Sequence, residues 1–324
     1  MPAQTRFELK PGAATREAFG KALVDLGHAN KDVVACDADL SKSTFTAPFA
    51  KEFPDRFFSC GIAEANMVAI GAGLASSGKI AFVSSFSCFV LNKGFEQLRV
   101  TVAYPQINNV KVVGTHSGIS IGEDGPSQMS IEDLSLATAL PGFVVLSPCD
   151  EVSMKALVHA AAAYPAPVFI RAGRAKAPIV YAADRKFAIG KAVELIPGKD
   201  LTIIAHGLLV AEAIRASEAL EAEGISARVI DMHTIKPLDR DAVAKAASET
   251  GAIVVAEEHL TDGGLGVKVA QAAAETHPCL MEFVGIRGTY AESGSPEGLL
   301  DKYGLLARDV IAAARRALDR KRAR

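Results

Sequence analysis

Thr115-His116-Ser-Gly-Ile-Ser-Ile-Gly122-Glu-Asp124-Gly-Pro126-Ser-Gln128-Met129 is the stretch on which the reading of this chain turns. It follows an apolar, β-branched run at 110–115 and precedes a helical pattern at 129–139. Three glycines, a proline, an acidic pair and a histidine make it poor core material. They suit it to a loop at a strand end, where function concentrates. Outward from it the same alternation repeats. Strand patterns fall at 32–37, 80–84, 143–147, 168–171, 201–206, 227–231 and 252–257. Helical patterns fall near 13–27, 63–76, 92–103, 151–163, 208–223, 239–249 and 264–275. Apolar runs alternating with helices imply parallel sheets covered on both faces. The pattern pauses at 174–192, which holds Pro178, mixed charges and no helical period. That predicts a linker. The expected fold is α/β with two domains, 1–185 and 186–324, each a mainly parallel sheet flanked by helices.

Composition narrows the function classes. The 324 residues are 49% hydrophobic and 22% charged, ordinary for a soluble globular protein. Lys plus Arg is 35 against 37 Asp plus Glu, a formal net charge of −2, which argues against a nucleic-acid partner. Aromatics are 6% with no Trp, so base-stacking platforms are not expected. The five cysteines, Cys36, Cys60, Cys88, Cys149 and Cys279, form no CxxC pair and no Cys/His cluster, so neither zinc nor a redox motif is readable. Sparse, odd-numbered cysteines fit reduced thiols and a cytoplasmic location. The start, MPAQTRFELK, has no apolar run of the kind a signal peptide needs, and no stretch reaches a membrane-spanning length. The tail at 315–324, with six basic residues, reads as a solvated final helix turn whose cations complement the helix dipole.

Four segments at strand ends, where ligands of parallel sheets bind, have high polar density. Gly61-Ile-Ala-Glu64 enters a Gly/Ala-rich helix. Glu64 reads either as a helix-start carboxylate meeting free N–H groups or as a buried carboxyl that holds a proton for acid–base work. Phe86 and Phe89, three apart, face one way on a helical turn, as core packing or as a wall for a flat ring. The loop carrying His116, Asp124 and Gln128 is the third segment. Phe169-Ile-Arg171-Ala-Gly-Arg174 is the fourth, its two cations suited to an oxyanion such as phosphate or to the solvated surface. A single His with no second His nearby is a weak metal case. No strand–GxGxxG–helix, Walker P-loop or GxSxG elbow is present, which argues against nucleotide-driven and α/β-hydrolase chemistry.

At these segments the chain resembles the transketolase family, and the resemblance runs over its whole length. SIGEDGPSQM at 120–129 followed by Glu132-Asp133-Leu134 is the most specific signature. Supporting it are Ala14-Thr15-Arg16, Ser43-Thr44-Phe45, IAEANMVAI at 62–70, FIRAGR at 169–174, TIKPLDR at 234–240, and Gly263-Gly264-Leu265-Gly266 after Glu257-Glu258-His259. The resemblance covers the family's C-terminal half only: a pyrimidine-binding domain and the C-terminal domain. It implies thiamine diphosphate as cofactor, with Glu64 at the aminopyrimidine ring, where a carboxyl favours the tautomer that activates the thiazolium. Phe86 and Phe89 match the aromatics on that ring. Glu64 and His116 match catalytic positions. Arg16, Ser43, His116, Asp124, Gln128 and Arg174 match the substrate set, with sugar phosphates as ligands. Gln128 stands where many microbial relatives have His; an amide hydrogen-bonds but does not titrate near neutrality. Arg171 receives no role. Of the seven histidines only His116 lies in a site motif, and His259 is set apart because it follows an acidic pair after a strand.

The family's diphosphate-binding domain uses a GDG segment and Mg²⁺, and this chain contains no GDG. No metal ligands are therefore expected here; Mg²⁺ ligands are expected from a separate N-terminal subunit. The implied protein is the C-terminal subunit of a split transketolase, active only with that partner in an α2β2 assembly, moving a two-carbon ketol unit from a ketose phosphate to an aldose. Pentose phosphates are one such substrate class. The alternatives are the β subunit of a 2-oxoacid dehydrogenase decarboxylating component, with similar length and domain order, and a non-catalytic paralogue that binds partners.

Overall fold

The structure, a computed structural model, describes residues 7–323. Residues 1–6, on which the expectation about a leader partly rests, and Arg324 of the basic tail lie outside the described residues. The first half holds strands β1 (Pro11–Ala14), β2 (Val33–Asp37), β3 (Phe57–Ser59), β4 (Ile80–Phe86), β5 (Val110–Thr115), β6 (Val144–Leu146), β7 (Val168–Arg171) and β8 (Lys176–Pro178). The second half holds β9 (Val193–Ile196), β10 (Leu201–Ala205), β11 (Ala227–Asp231), β12 (Thr234–Lys236), β13 (Ala252–Leu260) and β14 (Leu280–Ile286). They form a seven-stranded sheet in the order β12-β6-β7-β5-β4-β2-β3 and a five-stranded sheet in the order β14-β13-β10-β11-β9. Only the β12 and β9 edges are antiparallel within these sheets. The mainly parallel α/β architecture expected from the alternation is thus observed.

The interior strands are largely buried, and β2, β5, β10 and β11 are buried along their full length. Such continuous apolar strands need helices on both faces. Helices Thr15–Ala29 and Glu151–Ala163 cover one face of the first sheet. Helices Leu209–Ala222 and Ala307–Arg322 pack on the outer face of the second. Between the sheets lies a shared core, where Leu134 and Ala137 of helix Asp133–Ala139 join Ile235, Val243 and Val269.

The expected linker is tied down rather than loose. β8 pairs with β1. The Asp150 carboxylate caps helix Glu151–Ala163 through Ser153 N–H at 2.7 Å and accepts Val180 and Tyr181 N–H at 2.9 and 3.0 Å. One strand crosses the expected division: β12, from the second half, completes the edge of the first sheet against β6. Another departure concerns the helix expected at 92–103. It begins at Ser87, directly after β4, and changes to π-helix over Leu98–Ala103. The early start puts Phe89 in the first turn. No helix among the described residues is long and apolar enough to cross a membrane.

Candidate functional site

The carboxyl ends of β2, β3, β4, β5 and β7 open on one edge of the first sheet, and chain order reverses between β2 and β4. That is where an open parallel sheet makes a crevice. Every sequence-predicted site residue lies on a strand end, loop or short helix at this edge, or on helix Thr15–Ala29 stitched to it. The stitch is Thr15: its hydroxyl accepts Gly173 N–H at 2.7 Å and brings Arg16 beside the β7 end.

Arg16 donates from Nη1 to the Ser43 carbonyl at 2.8 Å and to His116 Nε2 at 2.9 Å. Its guanidinium lies 5.2 Å over the Phe45 ring. Ser43 thus meets Arg16 through its backbone, not its hydroxyl. The turn that presents Ser43 and Phe45 is organised by buried Asp37, which accepts Leu40 N–H at 2.6 Å and the Thr44 and Thr46 hydroxyls at 2.6 and 2.9 Å.

His116 is held unusually. Its φ is +58°, a left-handed value a β-carbon resists, and it is 2% exposed. An arginine N–H can only donate, so Nε2 accepts from Arg16 and the ring proton sits on Nδ1, 2.9 Å from the Thr115 hydroxyl. Burial, then the Arg16 and Arg174 charges, push its pKa down to about 3. Burial and the Arg174 charge likewise hold the Arg16 pKa below its usual value. Arg174 donates to the Ile121 carbonyl and reaches Glu123 at 3.0 Å. Two guanidinium groups therefore flank an uncharged imidazole, and the buried carboxylates nearby belong to other contacts. Glu123, the carboxylate that pairs with Arg174, is exposed at the edge of this cluster.

The ring of His116 stacks on Phe86 at 3.7 Å, and Phe86 stacks on Phe89 at 5.4 Å and 15°. The aromatic pair therefore forms a single column with the imidazole, as the spacing predicts. Glu64, 3% exposed, stands beside it. Its carboxylate does not cap its own helix; it meets the Lys93 ammonium at 3.3 Å, and that ammonium lies 4.5 Å over Phe89. The expected proton-holding carboxyl is buried, but here it faces a cation. Lys93 and Phe45 were not anticipated. Lys93 sits four residues after Phe89, a same-face helical spacing that could have flagged it.

Asp124 is exposed at the rim, and Gln128 is half-buried with its side-chain oxygen accepting from Ser127 at 2.5 Å. These two are near the crevice but make no hydrogen bond to Arg16, His116 or Glu64. Among the described residues no group of three or more His, Cys, Asp or Glu is placed to hold a metal ion. A cleft of about 680 Å³ in the second half is lined by Arg287, Lys302 and Arg316. Two of its cations are already engaged, Arg316 with Glu282 and Lys302 with Glu292, and Arg287 donates to the Phe283 carbonyl.

Two family models match the chain: the pyrimidine-binding domain of transketolase at residues 11–179 and the transketolase C-terminal domain at 190–310. The chain is 44% identical over 294 residues to a putative transketolase C-terminal section from Methanocaldococcus jannaschii, covering 90% of this chain and 92% of that one. It is 38% identical to human transketolase over 98% of its own length but spans only 51% of the human protein. Among solved structures it superposes on a split gene transketolase described as an inactive beta4 tetramer, with TM-score 0.89 and 48% identity, covering 95% of this chain and 99% of that one.

Proposed function

The chain belongs to the transketolase family, and from that membership we propose that it is the C-terminal subunit of a split transketolase, a transferase that works with a separate diphosphate-binding subunit. Two-carbon ketol units pass from a ketose phosphate to an aldose acceptor. The cofactor of the family is thiamine diphosphate, which supplies the carbon nucleophile for breaking and forming the carbon–carbon bond.

The residues present fit the pyrimidine part of that cofactor. A carboxyl 3% exposed beside a half-buried aromatic face is complementary to a flat ring with a basic nitrogen. Glu64 would hydrogen-bond that nitrogen, and Phe89, backed by Phe86, would support the ring face. Lys93, half exposed, contacts both groups and would have to leave them for the ring to bind. Mg²⁺ and the diphosphate are held by the partner subunit, in an α2β2 assembly.

On the substrate side, Arg16 and Arg174 receive the terminal phosphate with charge-assisted hydrogen bonds, and His116 orients Arg16 through Nε2. Ser43 fixes Arg16 through its carbonyl. Asp124 at the rim reads a sugar hydroxyl, and Gln128 offers an amide to another. His116 hydrogen-bonds without gaining charge in the physiological range, so the positive field comes from the two arginines.

One observation carries this reading: an uncharged, buried histidine between two arginines at the crevice, a built anion site. The test compares ketose donors with and without a terminal phosphate in the enzyme assembled from both subunits. The phosphorylated donor has a KM lower by about tenfold or more, the range of one charged hydrogen bond. Equal KM values for the two donors would remove the phosphate from the proposal.

A further inference from the structure

The acidic pair and histidine at 257–259 lie on β13 in the second half, yet they touch the loops of the first. Side chains alternate along a strand, so Glu257 and Glu258 diverge. Glu257 stays in its own half and accepts Leu265 and Gly266 N–H at 2.7 and 2.9 Å. Glu258, 3% exposed, crosses over and accepts Ser120 N–H at 2.6 Å. Its own carbonyl accepts from Arg171 at 2.9 Å. His259 continues the seam: Nδ1 donates to the Leu260 carbonyl at 2.8 Å, leaving Nε2 to accept Leu134 N–H at 3.2 Å.

The loop these contacts hold bears His116, Asp124 and Gln128. It contains three glycines with positive φ, Gly118, Gly122 and Gly125, which give its backbone wide freedom. It is also anchored by Ser117 N–H to the Ala172 carbonyl at 3.2 Å and Gly118 N–H to the Ser130 carbonyl at 2.7 Å. A β-carbon at Gly118 would collide with the Glu258 carboxyl, and one at Gly125 with the Ser293 hydroxyl. The second half is the wall against which this loop is shaped. A buried carboxylate is tolerated only where it is hydrogen-bonded, which marks the Ser120 contact as a built one.

We propose that Glu258 is a positioning residue for substrate binding: by holding the Ser120 backbone it fixes the loop that presents His116 and Asp124 at the rim. The proposal rests on reading that rim as the substrate-phosphate site.

The test uses the two-subunit enzyme and a phosphorylated ketose donor. Glu258→Ala raises KM about tenfold or more, while kcat and thiamine diphosphate affinity stay within about threefold of wild type. Glu258→Gln, whose amide oxygen still accepts from Ser120, returns KM to near the wild-type value. Amide hydrogen exchange on this chain alone reads the clamp without the reaction: in Glu258→Ala, amides 117–122 exchange about tenfold faster and those of β5 do not change. If Glu258→Ala does not fold, Glu258→Asp, shorter by one methylene, is read in the same two ways. Unchanged KM together with unchanged exchange overturns the proposal. So does a parallel fall in kcat and cofactor affinity, which marks general damage. Faster exchange in Glu258→Ala, together with a wild-type pair that transfers nothing, supports the clamp and counts against the proposed function instead.

Discussion

Arg171 and Arg174 leave the same strand three residues apart and end in opposite environments. Arg171 is 5% exposed; its guanidinium bonds Asp133 at 2.8 Å and the Ser130 and Glu258 carbonyls at 3.2 and 2.9 Å. Asp133 in turn accepts the Ser87 hydroxyl at 2.9 Å, so this cation joins the helix bearing Phe89 to the second half. Arg174 is half-buried at the rim, tied to Ile121 and to the exposed Glu123. Both cations meet a carboxylate and a carbonyl, but the partner of Arg171 is buried whereas Glu123, the partner of Arg174, is exposed and screened by solvent. The same arginine chemistry serves the fold in one place and, in the proposed function, the substrate in the other, and what separates them is burial.

That difference can be broken by substitution. The largest effect is at the crevice, where Glu64→Gln lowers kcat of the assembled enzyme by about 10²–10⁴-fold, the range of a general acid–base role, while melting of the chain and subunit assembly are unchanged. Near-normal turnover would take Glu64 out of the mechanism. Next comes Arg171→Ala, which strands Asp133 in the interior and costs about 3–5 kcal/mol in a urea titration. Arg174→Ala is the sharp contrast: stability stays within about 1 kcal/mol, and KM for a phosphorylated donor rises about tenfold or more. Should both arginines affect stability alike, the division between them fails.

The smallest effect concerns pH. The depressed pKa of His116, about 3, lies well below that of the unfolded chain, about 6.5. The unfolded state therefore binds the extra proton first, and stability falls as pH drops from about 6.5 towards 3. Replacing His116 with Gln reduces the acid loss between pH 7 and pH 5 by on the order of 1 kcal/mol, measured by urea titration at both values. The KM for a phosphorylated donor shows no His116 inflection between pH 5.5 and 8.

The interior of the fold was legible because fully buried parallel strands write themselves as apolar β-branched runs. Strands β2, β5, β7 and β11 lie where those runs stand. Edge strands were not: β3, β9 and β12 are short and half polar, and their pairing is decided by tertiary contacts. The helical turn read at Phe86 and Phe89 already lay ahead of the helix expected at 92–103, which starts at Ser87. At the site, residue types and their strand-end placement were readable, and so was the Phe86–Phe89 stack. Contacts that depend on reach across the chain were not. Glu258 meets Ser120 across 138 residues, and Lys93 meets Glu64 across 29. Arg171 carried no signal of its role, since its partners come from two distant segments, 130–133 and Glu258.

The proposed function stands or falls on whether this chain carries one half of a thiamine-diphosphate site. The most direct measurement is ketol transfer from a ketose phosphate by the purified chain, alone and then mixed with a subunit carrying the GDG diphosphate-binding segment, both with thiamine diphosphate and Mg²⁺. The chain alone transfers nothing and the mixture transfers; robust transfer by the chain alone, or none by the mixture, would contradict it.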